Sequence, residues 1–370
     1  MKVLFLSAAN SSHTIKWVNA LAEKGHEVHL VYKKNHSPVY NQIDESVQLH
    51  SLKHGGMKGY YLNALQLNRI AKRIRPEVIN VHYASGYGTL ARWSKIGPYL
   101  LSVWGSDVYE FPHKNKTNLY ILKQNIRHAK MLASTSECMA EQLKDVIGDS
   151  SLDIAVTPFG VDLTRFKFEE HSEKSDDEII LGTVKTLEKV YRIEDLIRAT
   201  KVLKENLFQK GRQDIGNKIK VYIYGEGNFK EELKMLIREL ELEGTVFLKG
   251  WIPNTEVPNA LGQFDVFCAT SERESFGVAV VEAMAMEKPV IVSDAEGFKE
   301  VVVDGTTGFV VSVGDIQAMA KRLEGLILDE KKRTEMGVNG RKRVEELYDW
   351  NKNVEIMENL YIKLRGQKDG

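Results

Sequence analysis

Short apolar runs alternate with segments of helical period along most of the chain. The run VLFLSA (3–8) predicts a strand, and the apolar residues of TIKWVNALAEKG (14–25) share one face of a helix that ends at Gly25. The same alternation continues through predicted strands at VHLVY (28–32), VINVH (78–82), PYLLSVW (98–104), MLAST (131–135) and IAVTP (154–158), with helices around 62–75 and 87–95. Such alternation is typical of a parallel sheet that carries helices on both faces.

The alternation stops near residue 167 and begins again near residue 179. The segment KFEEHSEKSDDE (167–178) is highly charged and has no aliphatic side chain, which indicates a solvated linker. Beyond it, the predicted strands are 179–184, 220–225, 246–250, 265–270 and 289–294, with helices near 193–205 and 229–242. The pattern therefore predicts an α/β protein of two Rossmann-like, doubly wound domains, at 1–166 and 179–349. We expect the last helical segment, 350–370, to pack against the first domain.

The composition fits a two-domain globular protein. The chain has 370 residues, of which 43% are hydrophobic and 28% charged. Its two cysteines, Cys138 and Cys268, form neither a disulfide framework nor a zinc spacing. The start MKVLFLSAAN indicates a strand rather than a signal peptide, and no apolar run approaches the roughly 20 residues that span a bilayer. We therefore expect a cytoplasmic protein.

Charge is distributed unevenly although the net charge is zero. Residues 1–165 contain 20 Lys and Arg against 13 Asp and Glu, and the remaining residues contain 31 against 38. The segment NRIAKRIR (68–75) is strongly basic near a predicted helix end. The helix dipole is one explanation, and peripheral contact with an anionic membrane is another. We expect no nucleic-acid partner.

Basic residues and glycines follow two predicted strands of the second domain. In GTVKTLEKVYR (182–192), Lys185, Lys189 and Arg192 come just after a strand, where charge-assisted donors suit a diphosphate. A solvated loop is the alternative. In YGEGNFKEEL (224–233), Gly225 and Gly227 predict a tight turn between strand and helix, which alone is weak evidence for a ligand.

The segment SERESFGVAVVEAMA (271–285) carries two carboxylates around a predicted strand-to-helix junction. Gly277 lies near the helix start, where free amide groups favour a phosphate. Glu282, inside the helix, suits hydroxyls of a ribose, and Glu274 lies farther out, towards whatever the phosphate carries. A glycoside hydrolase would also need two carboxylates, but there they face each other across the bond rather than occupy one element.

The stretch from Glu274 to Glu282 resembles the E-x7-E motif of retaining GT-B glycosyltransferases of family 4, the glycosyl transferases group 1. The segments VTPFGVDLTRF (156–166), VFLKGWIP (246–253) and PVIVSDAEGFKEVVVDGTTGFVV (289–311) follow the family's order and spacing. The resemblance implies a GT-B fold with two Rossmann-like domains that face each other across a deep cleft. It also implies a nucleotide-sugar donor, with UDP favoured, held mainly by the second domain.

The same resemblance implies roles for individual residues. Lys185 and Lys189 correspond to the basic pair on the diphosphate, Glu282 to the acid on the ribose, and Glu274 to the acid on the transferred sugar. The remaining implied donor-binding residues are Phe276, Gly277, Val278, Gly225, Trp251 and Ile252.

In the first domain, His82 resembles the histidine near the anomeric carbon, and the implied acceptor-binding residues are Ser12, His13 and Asp107. The chain departs from the family at four places. The family's usual G-R-L…E-K-G is here VKTLEKVYR (184–192), which leaves open which lysine takes which role on the diphosphate. Trp104 stands where a histidine usually precedes the Gly-x-Asp segment. The first turn, residues 10–13, lacks its usual glycines, and Glu296 replaces the first residue of a Gly-Gly pair.

These residues predict transfer of a sugar, with retention, to a glycan or lipid-linked acceptor in cell-envelope or extracellular polysaccharide or glycolipid synthesis. We expect neither a cofactor nor a metal, because lysines and helix amides can stabilise the leaving phosphate and no D-x-D pattern follows a strand. A sugar-nucleotide epimerase or hydrolase on the same architecture is one alternative. A non-catalytic nucleotide-sugar-binding protein is the other, although such a protein would not need Glu274.

Overall fold

The computed structural model describes residues 1–38, 42–167 and 177–367, which form two compact units. The first unit comprises Met1–Pro158 and Lys352–Gly370, and the second comprises Phe159–Asn351. Most of the predicted linker, 168–176, lies outside the described residues. Residues 159–166, which the sequence assigned to the first domain, belong to the second unit, where the Val161 amide donates to the Tyr348 carbonyl at 2.8 Å.

The first unit is built on a parallel sheet. Within the described residues its strand order is β3-β2-β1-β4-β5-β6-β7. The strands are β1 (Lys2–Leu6), β2 (Glu27–Lys33), β3 (Gln48–Leu52), β4 (Val78–His82), β5 (Leu100–Val103), β6 (Met131–Ser134) and β7 (Ile154–Val156). Because β1 has β2 on one side and β4 on the other, the order of the strands reverses beside β1, where ligands of such sheets bind.

Seven helices of the first unit connect these strands among the described residues. They are α1 (Ser12–Glu23), α2 (Gly59–Leu62), α3 (Ala64–Ile74), α4 (Gly86–Ser94), α5 (Ser106–Tyr109), α6 (Lys116–His128) and α7 (Glu137–Ile147). Helix α7 shows how local sequence sets their ends. The Ser136 side chain accepts from the Met139 amide at 3.2 Å, and Gly148 ends the helix with a φ of 73°.

The second unit has a second parallel sheet, with the order β10-β9-β8-β11-β12-β13 among its described residues. Its strands are β8 (Ile179–Val184), β9 (Ile219–Tyr224), β10 (Val246–Gly250), β11 (Val266–Ala269), β12 (Val290–Ser293) and β13 (Gly308–Val311). Its helices are α8 (Ile193–Gln209), α9 (Gln213–Lys218), α10 (Lys230–Glu239), α11 (Val257–Gly262), α12 (Val278–Ala285), α13 (Glu296–Val301), α14 (Ile316–Leu328) and α15 (Glu330–Leu347). Strands β8 and β11 are neighbours, so the loops that follow them meet at one edge of the sheet.

The last helix, α16 (Trp350–Gly366), runs into the first unit. Tyr361 is fully buried there, and its hydroxyl accepts from the Asn80 side-chain amide of β4 at 2.7 Å. Glu358 pairs with His26 at 2.7 Å. The predicted fold class, α/β with two Rossmann-like sheets, is confirmed. Among the described residues, no helix is both long and apolar enough to cross a membrane.

Candidate functional site

A cation and a carboxylate meet at the carboxyl edge of the second sheet. Lys185 follows β8 and Glu274 follows β11, and because these strands are neighbours, the Lys185 Nζ lies 2.6 Å from the Glu274 Oε2. The Lys185 Nζ also lies 4.3 Å from the centre of the Tyr191 ring. The two charged side chains are 25% and 15% exposed, so a ligand in solution can reach both.

Two glycines bring a turn against the backbone beside Lys185. Gly225 has a φ of 145°, and a Cβ there would lie 1.9 Å from the Lys185 carbonyl oxygen. A Cβ on Gly227 would lie 2.2 Å from the Leu187 carbonyl oxygen. The amide of Lys185 donates to the Tyr224 carbonyl at 2.9 Å. Both positions therefore require glycine, because the backbone of residues 185–187 packs too closely for a side chain. This packing positions Lys185.

Helix α12 begins beside this pair. Gly277 precedes it with a φ of 101°, and a Cβ there would lie 2.8 Å from the Phe298 ring. Gly277 lines the same small cavity as Lys185, Glu274 and the buried Thr183. The first amides of a helix lack intrahelical acceptors, and their dipoles add positive charge. The cavity therefore combines a lysine, a carboxylate and the amino end of a helix.

The other residues of the E-x7-E stretch divide between core and surface. Phe276 is 1% exposed, and its ring packs against Phe159 and Tyr348 at centroid distances of 6.2 and 5.3 Å. Its side chain therefore anchors the turn in the core of the second unit. Val278 is the first residue of α12 and Glu282 lies in its second turn, and both are partly exposed.

The Glu-Gly departure from the family's Gly-Gly pair retains the glycine that the packing requires. The Gly297 amide donates to the Glu274 carbonyl at 3.0 Å. A Cβ on Gly297 would lie 2.5 Å from the Phe276 nitrogen. Helix α13 thereby fixes the backbone of the Glu274 turn, and Gly297 is a positioning residue that the sequence indicated only as a departure.

The remaining predicted donor residues differ in how far their side chains are exposed to solvent. Lys189 is exposed, and Arg192 makes two bonds to Asp195, at 2.7 and 3.0 Å. Of the three basic residues after β8, Lys185 is the one beside Glu274. Trp251 follows β10 and is 66% exposed, with the partly buried Ile252 next to it.

In the first unit, His82 ends β4 and is completely buried. Its ring lies 4.4 Å from that of Phe5 and 4.1 Å from that of Trp104. Within the described part of the chain, neither ring nitrogen has a hydrogen-bond partner. Burial, assisted by the nearby His13, holds the pKa of His82 well below its usual value, so the imidazole is neutral. Trp104, at the family's histidine position, covers it.

His13 lies in the first turn of α1, with its ring 5.7 Å from that of Trp104. Burial, and then the charge of Lys16, lowers the pKa of His13 to about 4. Ser12 is the first residue of the helix and is exposed. His13 is therefore a neutral imidazole at physiological pH.

Asp107 is 1% exposed, and three backbone amides occupy its carboxylate. Oδ1 accepts from Trp104 and Gly105 at 3.1 and 2.9 Å, and Oδ2 accepts from Ala84 at 2.7 Å. Burial raises the pKa of Asp107, and the amide bonds oppose that rise. The carboxylate thus ties the loop after β4 to the loop after β5. Its contribution to an acceptor site would be to hold these loops in place.

Tyr191 lines the same cavity as Lys185 and Glu274, although the sequence did not single it out. Its ring contacts Lys185, and its carbonyl accepts from the Thr270 hydroxyl at 2.9 Å. The only available signal was an aromatic residue within the basic stretch 182–192. No group of three or more His, Cys, Asp or Glu side chains suited to a metal ion occurs in the described ranges.

Two family models match the chain. The model described as glycosyl transferases group 1 matches residues 164–343, and the glycosyl transferase 4-like model matches residues 2–136. The group 1 match lies within the second unit, and the glycosyl transferase 4-like match lies within the first. These matches confirm the resemblance to group 1 glycosyl transferases that the motifs from Glu274 onward indicate.

Two of the curated relatives are bacterial proteins. The capsular polysaccharide biosynthesis glycosyltransferase CapM of Staphylococcus aureus is 28% identical over 267 residues, which cover 69% of this chain and 63% of CapM. The N-acetyl-alpha-D-glucosaminyl L-malate synthase of Bacillus anthracis is 25% identical over 95% of this chain and 93% of that protein.

Solved structures of glycosyltransferases share the fold. Sucrose-phosphate synthase from Thermosynechococcus elongatus superposes with a TM-score of 0.85 at 18% identity, over 99% of this chain and 100% of the other. Anabaena HepE in complex with UDP-glucose superposes with a TM-score of 0.77 at 17% identity, over 97% and 99%. At these identities the likeness shows the GT-B fold alone.

Proposed function

We propose that the protein transfers a sugar from a nucleoside diphosphate sugar, with UDP as the favoured nucleotide, to a hydroxyl acceptor with retention of anomeric configuration. The observation that carries the proposal is the Lys185–Glu274 pair beside the amino end of α12. The pair offers a cation for the diphosphate and a carboxylate for sugar hydroxyls within one small cavity. The complex of HepE with UDP-glucose supports the choice of donor.

Donor binding would exchange the partners of this pair. The diphosphate pairs with the Lys185 ammonium and accepts hydrogen bonds from the amides at the start of α12. The Glu274 carboxylate then accepts hydrogen bonds from hydroxyls of the sugar. When the bond between the anomeric carbon and the phosphate oxygen breaks, both electrons go to the diphosphate. Preorganised donors stabilise that charge, usually the largest contribution in such sites. Exposed Lys189 adds a second cation, so the residues can balance the charge without a metal.

The acceptor oxygen then bonds to the anomeric carbon on the face that the phosphate leaves, and its proton passes to a phosphate oxygen. Ser12 and His13, on the first turn of α1, are the proposed acceptor contacts. With a pKa of about 4, His13 provides a neutral hydrogen-bonding group. The name of CapM, and that of the teichuronic acid glycosyltransferase TuaC of Bacillus subtilis, favour an acceptor in polysaccharide synthesis.

A donor screen followed by product analysis tests the proposal. Nucleotide sugars are first ranked by the rise in melting temperature, because a ligand that binds the folded state stabilises it. The best donor is then incubated with and without hydroxyl acceptors, and the products are followed by NMR. We expect an acceptor-dependent glycoside with the anomeric configuration of the donor. Complete conversion of the donor to another sugar nucleotide, or to free sugar, without any acceptor would establish an epimerase or hydrolase instead.

A further inference from the structure

Helices α2, α3 and α4 of the first unit each expose large apolar side chains. Tyr61, Leu62, Leu65 and Trp93 are 42, 59, 74 and 55% exposed. The rings of Tyr61 and Trp93 lie 5.5 Å apart, so α2 and the end of α4 present one joint aromatic pair. Amphipathic aromatic side chains of this kind are typical of proteins that contact the interface of a membrane.

Two open basic grooves are lined by residues of the same helices, one by α4 and one by α3. The groove at the end of α4 has a volume of about 510 Å³ and is lined by Arg92, Trp93, Lys95, Tyr99 and His128, among others. A second groove of about 510 Å³, between α3 and the edge strand β3, is lined by His50, Gln66, Arg69 and Arg73, among others. Each groove therefore offers two permanent cations and one histidine, which is the donor set that a phosphate group binds.

The surrounding chain lacks compensating negative charge. Residues 46–106 contain eight Lys and Arg residues but a single carboxylate, Glu77. That carboxylate accepts from the Lys2 amide at 2.7 Å and pairs with Arg365 at 2.9 Å. The basic side chains of this region therefore present a largely uncompensated positive field, which attracts anionic surfaces.

The first groove also contains a polar atom without a partner. Tyr99 is 2% exposed and lines the groove, and within the described residues its hydroxyl has no hydrogen-bond partner. A buried hydroxyl of this kind costs free energy unless a ligand or water satisfies it. The floor of the groove thus offers a donor in addition to the cations at its rim.

We propose that the surface formed by α2, α3, α4 and the two basic grooves docks the protein on an anionic phospholipid bilayer. Tyr61, Leu62, Leu65 and Trp93 enter the headgroup region, and each groove takes a lipid phosphate. A bilayer fits better than a protein partner because the same donor set occurs twice, which matches a surface that repeats one anionic group. A nucleic acid would leave Leu62 and Leu65 in water.

Binding to vesicles tests the electrostatic half of the proposal. The full-length protein is mixed with vesicles of pure phosphatidylcholine, or of equimolar phosphatidylcholine and phosphatidylglycerol, and the bound fraction is measured by flotation. We expect strong binding to the anionic vesicles, which weakens with added salt. The double variant Arg69→Gln/Arg73→Gln should lose about 30-fold in partition coefficient, at about fivefold for each basic residue. The control Lys321→Gln/Lys331→Gln removes two exposed lysines from the second unit and should bind as the unaltered protein does.

A second pair of variants tests the apolar half. Trp93→Ala should reduce the partition coefficient by about tenfold, since an aromatic side chain no longer enters the interface. Phe208→Ala removes a side chain of the second unit that is 64% exposed and should have no effect. All variants change exposed residues, and a melting curve with and without UDP verifies that the donor unit is intact.

Equal binding to both vesicle types, or equal losses in test and control variants, would overturn the proposal. So would self-association or nucleic-acid binding that the same substitutions abolish while vesicle binding persists. Neither result affects the proposed transferase activity, which a soluble acceptor measures separately.

Discussion

The Lys185 Nζ lies 2.6 Å from the Glu274 Oε2 although 89 residues separate them in sequence. The pairing of β8 with β11 brings them together. The interaction neutralises the lysine that the proposed diphosphate needs, and it orients the carboxylate that the proposed sugar needs. Before a ligand binds, each of the two charged groups is therefore paired with the other. Substitution of Lys185 and substitution of Glu274 should have different effects on donor binding and on sugar transfer.

Replacing Glu274 with glutamine should separate nucleotide binding from sugar transfer. Glu274→Gln removes the anion that competes with phosphate for Lys185, so the affinity for UDP alone should stay the same or rise a few-fold. Turnover of the UDP-sugar should fall by about 100-fold or more, because charge-assisted bonds to sugar hydroxyls are lost. Calorimetry with UDP and a transfer assay measure the two effects.

The control for Glu274→Gln is Glu231→Gln, which breaks an exposed pair with Lys234 of 2.7 Å in the same unit. Its UDP affinity and turnover should remain unchanged. A Glu274→Gln variant that loses UDP affinity and retains turnover would contradict the assigned roles.

Adding a methyl group at Gly225 should destabilise the second unit and displace Lys185. The φ of 145° is unfavourable for alanine, and its Cβ would lie 1.9 Å from the Lys185 carbonyl oxygen. We expect Gly225→Ala to lower the free energy of unfolding by about 2 to 4 kcal/mol. Gly244→Ala, where a Cβ meets nothing within 4 Å, is the control and should change it by less than about 0.5 kcal/mol. Chemical denaturation of both variants provides the measurement, and equal stabilities would refute the close packing.

Asp107→Asn should weaken the first unit without affecting the donor. The asparagine has one acceptor oxygen where the carboxylate serves three backbone amides, and its amide group faces donors. Leaving a buried amide without an acceptor should cost about 1 to 3 kcal/mol. Melting curves should show a less stable protein whose calorimetric UDP affinity is unchanged. A parallel loss of UDP affinity would place Asp107 in the donor site.

The stability of the first unit should decrease as the pH falls from 6.5 towards 4. The pKa of His13 in the folded protein is about 4, below its usual value of 6.5, so within this window the unfolded chain binds the extra proton. His13→Gln should therefore show a smaller loss of melting temperature between pH 6.5 and pH 4. Scanning calorimetry across this range tests the difference. Identical slopes in both proteins would mean that His13 titrates normally.

The alternation of strands and helices could be predicted from the sequence because the spacing of apolar residues follows which side chains of each element are buried. The predicted helix 193–205 is the core of α8 (Ile193–Gln209), and the predicted strand 78–82 is β4. Strand β3 (Gln48–Leu52) was missed because its residues are mostly exposed at the sheet edge, which leaves no apolar run. Strand β13 (Gly308–Val311) was also missed although it is mostly buried, because an apolar run of four residues is too short to identify a strand by its period.

The sequence predicted the residues of the candidate site but not the contacts between them. Motif resemblance placed Lys185 and Glu274 in one ligand site, but the contact between them depends on strand order, which no local pattern encodes. The burial of His82 likewise follows from Trp104, which a different strand and loop bring over it. Pairwise contacts of this kind become visible only in three dimensions.

A double-mutant cycle on donor affinity probes the Lys185–Glu274 site without relying on the acceptor. Lys185→Met, Glu274→Gln and the double variant are titrated with UDP and with the UDP-sugar that the screen identifies. We expect Lys185→Met to weaken UDP binding by about 10-fold to 100-fold. We expect Glu274→Gln to leave UDP binding intact and to reduce only the extra affinity that the sugar of the UDP-sugar contributes. Unchanged affinity for both ligands in all three variants, with the proteins folded, would show that the Lys185–Glu274 pair is not the donor site.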